Sequence, residues 1–253
     1  MENRENREKA YKLLAVQMGL SNSKAKELID RGVVYVGNKK VAIARGELPV
    51  DTKFRVLKLN RPETIFENEE VLAINKPAFL TSDEAAAAYK NARLLHRLDR
   101  ETSGVLLLSK NKSFHKRAEE AFKARAVYKV YTCWVQGIVS EPATIEKPIK
   151  TVKKNGMAYS KTDRRGKEAI THIEPVMVVG GKSKLRVVIE TGRTHQIRVH
   201  LKSIGHPIIG DTQYGVLSAQ TNRMLLHALE LKLLGYDFRA KEPKGFDVFA
   251  GGL

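Results

Sequence analysis

The chain has 253 residues, of which 42% are hydrophobic and 29% charged, a balance that fits one good core or a medium domain beside a small one. Its 45 Lys and Arg against 28 Asp and Glu give a formal net charge of +17, which attracts polyanions and puts nucleic acid first among partners. The single cysteine, Cys133, excludes an intramolecular disulfide and a Cys-rich zinc site. No run reaches the length of a membrane span, and the polar opening Met1-Glu2-Asn3-Arg4-Glu5 lacks the apolar core of a signal peptide. The expectation is a cytoplasmic monomer with no membrane partner.

Residues 6 to about 56 read as a small unit. Tyr11, Leu14 and Met18 recur at helical spacing, and a second helix is expected from near Ser23 through Ala25, Leu28 and Ile29 to Gly32. Val33 to Val36 reads as a strand and Gly37-Asn38 as the turn before Lys39 and Lys40. This order of elements resembles the S4-type RNA-binding domain. The resemblance implies phosphate contacts from Lys24, Lys26, Arg31, Lys39 and Lys40, although such charges also suit a solvated face.

The polar, proline-bearing stretch Leu59-Asn60-Arg61-Pro62-Glu63 suits a boundary, giving units 1–58 and 59–253. Beyond it, strands are expected at Val71 to Asn75, Val105 to Leu108, Tyr128 to Val135, and around Leu185, Val187 and Ile189. Residues 111 to 124 read as a helix with Phe114, Ala118 and Phe122 on one face. Strands come in runs and helices are few, so the class is α+β on a largely antiparallel sheet. Between residues 146 and 168 lie eight Lys or Arg and three Asp or Glu, which reads as a basic hairpin or loop around Asn155-Gly156, open either to RNA or to water.

Two segments concentrate chemistry. Leu94-Leu95-His96-Arg97-Leu98-Asp99-Arg100-Glu101-Thr102-Ser103-Gly104 is a charged loop entering an apolar strand, a common place for catalytic groups. Flanking arginines favour the charged form of Asp99; without a family, that pattern suits a salt-bridged loop residue as well as a catalyst. In the second segment, Thr191-Gly192-Arg193-Thr194-His195-Gln196-Ile197-Arg198-Val199-His200-Leu201, Thr194 is a suitable N-cap. Ile197, Leu201 and Ile204 form the core-facing stripe of a helix that Gly205 and Pro207 end. Its first turn, with Arg193 and Arg198 nearby, suits an anion.

Together the segments resemble signature motifs of the pseudouridine synthases that modify ribosomal and transfer RNA. Val127 to Gly137 and Gly166 to Thr171 fit the same family, and the resemblance spans about residues 68 to 216. Two departures stand out: Phe79 occupies a place where glycine is expected, and residues 81 to 92 are short and alanine-rich.

The resemblance implies isomerisation of uridine without a cofactor or metal. Asp99 would act either as nucleophile or as the base that removes the 2′ proton, and residue identity does not separate these routes. By the same resemblance Arg198 pairs with Asp99. Tyr131 lies against the uracil and assists loss of the C5 proton, and Arg97 fills the space left by a flipped-out nucleotide. Arg100, Arg193 and His195 are further candidates for RNA contact. The S4-like unit favours large-subunit ribosomal RNA as partner over transfer RNA. The rival reading is a non-catalytic RNA-binding or ribosome-assembly protein, which should have lost Asp99, Tyr131 or Arg198.

A serine hydrolase fails because Glu101, not glycine, stands two residues before Ser103. His195 and His200 are five apart, unlike the i, i+4 pair of zinc hydrolases. His96, His206 and His227 read as hydrogen-bonded loop or core residues.

Overall fold

A computed structural model describes residues 6–37, 39–154 and 157–250; Met1 to Glu5, Asn38 of the first expected turn and Asn155-Gly156 of the second lie outside them. The chain divides into two compact units that meet between Asn60 and Arg61.

In the first unit, helices Ala10–Met18 and Asn22–Arg31 each end at a glycine in the left-handed conformation, Gly19 and Gly32. The Ser21 side chain caps the second helix by accepting from the Lys24 N–H. The first helix buries Ala10, Leu14 and Ala15, whereas Met18 is exposed. Of the expected stripe, Leu14 is buried and Tyr11 half-buried, while Met18 is exposed because it is the last residue before the chain reverses at Gly19. Strands Lys39–Lys40, Val34–Val36 and Phe54–Val56 form an antiparallel sheet in that spatial order. Arg7–Lys9 pairs with Glu47–Pro49 in a separate ribbon.

The second unit is α+β, as its pattern of runs suggests. Among its described residues, ten strands form one sheet. Its main path runs Ala143–Ile145, Thr171–Val179, Lys182–Ile189, Tyr128–Gln136, Leu226–Leu233, Ser103–Ser109, Val71–Lys76, Glu63–Glu67. Every pairing is antiparallel except that of Leu226–Leu233 with Ser103–Ser109. At that parallel contact Gly104 has φ 114°, and a Cβ there would collide with the Ala228 backbone. The last residue of the charged loop is therefore glycine for a steric reason.

The two sheet faces carry different loads. Val71, Ala73, Val105 and Leu107 pack under helix Lys112–Lys123, whose N-cap Asn111 accepts from the Phe114 N–H. Leu72, Ile74, Leu106 and Leu108 face the opposite way, against Leu98 and Ala85. A neighbouring core joins Cys133, Val135, Leu185, Val187 and Ile189 to Ile197 and Leu201 of helix Gln196–Ser203. Tyr131 packs against both of these last cores and so marks the seam where the two chemical segments meet. The basic stretch forms a two-stranded hairpin, Ile149–Lys154 with Met157–Thr162.

Candidate active site

Backbone geometry brings the segments together. Asp99 begins a turn closed by the Thr102 N–H, which donates to the Asp99 carbonyl. Just before it, Leu98 is clamped at both backbone groups: its N–H donates to Ser82 Oγ, and Ser82 donates back to its carbonyl. Ser82 belongs to a short helix, Ser82–Ala86, that starts with a reciprocal capping box between Thr81 and Glu84. On the far side, Lys76 is wholly buried and its Nζ donates to the carbonyls of Pro77, Leu80 and Arg100. Burial, then repulsion from Arg223, lowers its pKa to about 7. The donation to Arg100 ties the preceding strand to the loop that presents Asp99, and the other two fix the turn after that strand.

The second segment differs from its expected cap. The N-cap is His195, not Thr194; it is left-handed at φ 57° and makes no side-chain cap bond. The preceding turn is organised instead by Gln196, whose Oε1 accepts from Thr191 Oγ1 and the Arg193 N–H. Its Nε2 donates to the Ile170 carbonyl and Thr171 Oγ1. The Gln196 N–H is taken by the Arg193 carbonyl, and Gln196 to Leu201 are all buried. At the helix start, therefore, the first N–H is already partnered and the side chains serve packing.

The charged centre is an ion triad. Arg198 Nη1 donates to Asp99 Oδ2 at 3.0 Å. The same guanidinium forks onto Asp211, Nε to Oδ2 at 2.7 Å and Nη2 to Oδ1 at 2.9 Å. Asp211 is fully buried and also accepts the N–H groups of Gln213 and Tyr214. Burial opposes charge on Asp211, but Arg198 and these two donors outweigh it and hold its carboxyl below the usual range. For Arg198 burial likewise works against the charge, and the two carboxylates, Asp211 foremost, raise its pKa above the ordinary value. Asp99, with 28% of its side chain exposed, is the member open to a ligand.

Around the triad lies a cleft of about 110 Å³ lined by Asp99, Tyr131, Ile197 and Arg198, with Arg97, Arg193 and His195 also on its wall. The volume is small beside the roughly 300–1,000 Å³ of sites that take a whole drug-sized ligand. Register between Tyr128–Gln136 and Leu226–Leu233 slips between Val130 and Tyr131, an irregularity of the kind that re-aims side chains beside active sites. The Tyr131 side chain lines the cleft, and burial, then the Asp99 charge, raises its pKa. Its hydroxyl is therefore neutral at physiological pH. Ile189, Ile197 and Leu226 complete the apolar wall.

His195 Nε2 stands 3.8 Å from Asp99 Oδ1, while its Nδ1 meets the Tyr214 hydroxyl at 2.8 Å. Burial lowers its pKa and Asp99 only partly offsets this, so the ring is neutral near pH 7. Tyr214 also accepts the Ser160 N–H and lies under the Arg198 guanidinium, 4.9 Å from its ring centroid. Arg97 points from the rim and pairs with Asp83, Nη2 to Oδ2 at 2.7 Å. Arg100 is exposed on the same loop but does not line the cleft.

The five cations named for the first unit have partners of their own within it. Lys24 and Arg31 pair with Glu27, and Lys26 lies 4.3 Å from the Tyr11 ring centroid. Lys39 and Lys40 form an edge strand.

Sequence reasoning missed Asp211, Tyr214, Ser82, Asp83 and Lys76. Only the capping box at Thr81 and Glu84 carried a local signal. Among the described residues, no group of three His, Cys, Asp or Glu could hold a metal, and no helix is long and apolar enough to cross a membrane.

Comparison with known proteins bears on family and fold. Residues 55–203 match the RNA pseudouridylate synthase family. A Helicobacter pylori (strain J99) protein described as an uncharacterized RNA pseudouridine synthase is 51% identical over 95% of this chain and 100% of its own length. Ribosomal large subunit pseudouridine synthase D of Zymomonas mobilis is 31% identical, covering 90% of this chain and 88% of the relative. Among solved structures, human RNA pseudouridylate synthase domain containing 1 superposes with a TM-score of 0.63 at 27% identity, over 73% of this chain and 84% of the other.

Proposed function

The chain belongs to the RNA pseudouridylate synthase family, and from that premise we propose that it isomerises uridines of large-subunit ribosomal RNA through the Asp99 carboxylate, without a cofactor. The reaction breaks the N1–C1′ bond, turns the detached uracil and joins its C5 to C1′; C5 loses a proton and N1 gains one. Atoms and electrons balance with no redox partner. The base must leave its stack to reach the cleft.

One observation carries the reading: a partly exposed carboxylate is held at the mouth of a small cleft by an arginine that a buried second carboxylate fixes in place. Such preorganisation keeps Asp99 aimed without reorganisation during the reaction. Tyr131, neutral and set in the wall, stacks on the uracil; its raised pKa disfavours a phenolate that would take the C5 proton. Arg97 is released from Asp83 to occupy the vacated place in the RNA stack. Arg100, Arg193 and His195 contact RNA around the cleft.

The ribosomal target is supported by the name of the Zymomonas mobilis relative, which matches over nearly its whole length, and by the first unit, read as an S4-like domain whose Lys24, Lys26, Arg31, Lys39 and Lys40 meet phosphates. The protein would act as a cytoplasmic monomer. The test incubates purified protein with 23S rRNA transcribed in vitro and maps pseudouridine by carbodiimide-primer extension. Discrete new stops without added cofactor are expected. Modification of transfer RNA alone would overturn the ribosomal assignment and keep the chemistry. Tight binding of total RNA with no modification would favour an assembly protein.

A further inference from the structure

The roles above leave unused the basic hairpin Ile149–Lys154/Met157–Thr162 and the turn that follows it. Between these elements and Gly192 to Thr194 lies a second cavity of about 430 Å³. Lys150, Arg165, Lys167 and Arg193 line it, and no carboxylate does. It adjoins the Asp99 cleft directly, since Gly192 and Arg193 line both.

Its walls are built. Ile149 and Lys167 exchange backbone hydrogen bonds at 2.8 and 2.9 Å. Gly166 lies so close to Ile149 that a Cβ would collide with that backbone, so the turn carrying Arg165 and Lys167 can sit there only with glycine. The hairpin is also tied to the catalytic centre: the Ser160 N–H donates to Tyr214, and Gln213 Nε2 donates to the Ala158 carbonyl. Arg193 is anchored through Nε to the Glu168 carbonyl.

The cations are poised differently from others on the surface. Lys24, Arg31, Lys110, Arg117 and Arg125 each pair with a glutamate. Among the described residues, Lys150 and Lys167 have no carboxylate within 4 Å; Asp163, 3.6 Å from Arg165 and close enough to feel the Lys150 charge, stands outside the cavity. Four like charges facing one hollow repel one another, and an anion there relieves the repulsion.

The geometry points to a phosphate subsite: this cavity holds a backbone phosphodiester of the RNA strand next to the uridine whose base enters the Asp99 cleft. The inference rests on the reading of that cleft as the uridine site. Insertion of a base leaves its strand outside, and the shared wall at Gly192 and Arg193 puts the neighbouring phosphate within reach of Lys150 and Lys167.

The test measures binding of the full chain to a 23S rRNA transcript across a KCl series, together with kcat and KM for pseudouridine formation. Lys150→Ala/Lys167→Ala should raise KM about threefold to tenfold per lysine with kcat unchanged. It should also flatten the slope of log K against log[salt] by about 0.7 per lost single-strand contact. Lys150→Arg/Lys167→Arg should restore both. Lys112→Ala/Lys116→Ala, which removes the same charge from helix Lys112–Lys123, should leave both near native.

Equal slopes and KM values for the alanine pair and the native protein would overturn the subsite while leaving the modification reading intact. Equal losses in the helix variant would also overturn it, since charge alone would then suffice. If native protein modifies no RNA yet the alanine pair flattens the slope, the functional reading fails and the phosphate site stands.

Discussion

Asp211→Asn is the sharpest probe of the ion triad, because it changes charge while nearly keeping shape. Asp211 is 1% exposed and receives four hydrogen bonds, two from Arg198 and two from backbone N–H groups. An asparagine offers one acceptor oxygen and turns its NH2 toward donors. Arg198, itself 5% exposed, would keep Asp99 at 3.0 Å and a long 3.4 Å contact to Gln213. Removing one partner of a buried pair costs about 3–5 kcal/mol; the retained oxygen puts the expected loss near the low end. For a chain of this length about 3 kcal/mol lowers Tm by roughly 6–12 °C. Loss of the fork also frees the guanidinium to swing, and misplacement by about 1 Å can cost about a hundredfold in rate. Thermal melting followed by circular dichroism and single-turnover pseudouridine formation would measure both. The expected result is a kcat loss near a hundredfold with KM little changed. A variant that melts within about 2 °C of native, or keeps kcat within about threefold, would refute the view that Asp211 positions Arg198.

Other outcomes follow from the same geometry. Tyr131→Phe should keep activity within about tenfold, because stacking survives, whereas Tyr131→Ala should lose at least about a hundredfold; equal losses would assign the chemistry to the hydroxyl. Phe79 is left-handed at φ 71° yet 7% exposed, so strain of about 1–3 kcal/mol opposes burial worth about 1.5–3 kcal/mol. Phe79→Gly should therefore shift stability by less than about 2 kcal/mol in urea titrations, and Phe79→Val, which keeps the strain and loses packing, by more. Burial lowers the pKa of His96 and His227 to about 4 each. Between that value and about 6.5 the unfolded chain binds the protons that the folded chain refuses, so stability should fall as pH drops through this window. Urea midpoints at several pH values should show the fall, and His227→Asn should make it shallower; a flat native profile would contradict the burial argument.

The parts of the fold legible in the sequence are those set by short-range pattern. Helix Lys112–Lys123 and strand Lys182–Ile189 follow from periodicity, since one face of each meets an apolar core. The pairing of Arg198 with Asp99 was carried by family resemblance, not by pattern, because 99 residues separate them. Asp211 was hidden for a related reason. Within Ile209-Gly210-Asp211-Thr212 it reads as an ordinary turn acid, and its worth arises only when the fold buries it against Arg198. His195 displaced Thr194 as the cap because its ring is drawn to Tyr214 and Asp99, a tertiary demand that outweighs capping preference. Met18 illustrates the same limit: helical spacing placed it on the buried face, and the end of the helix turned it outward.

On the proposed function, the Asp99 carboxylate carries out the isomerisation. Forming the C5–C1′ bond expels the C5 hydrogen, so RNA labelled with tritium at uracil C5 reports every turnover as tritium released to water. The most direct measurement compares this release for native protein and Asp99→Asn, with melting curves and RNA affinity checked for both. Asparagine keeps the shape and still accepts from Arg198, so folding and binding should survive while release falls by about a thousandfold or more. Release by the folded Asp99→Asn protein within about tenfold of native would contradict the account and move the chemistry to another group.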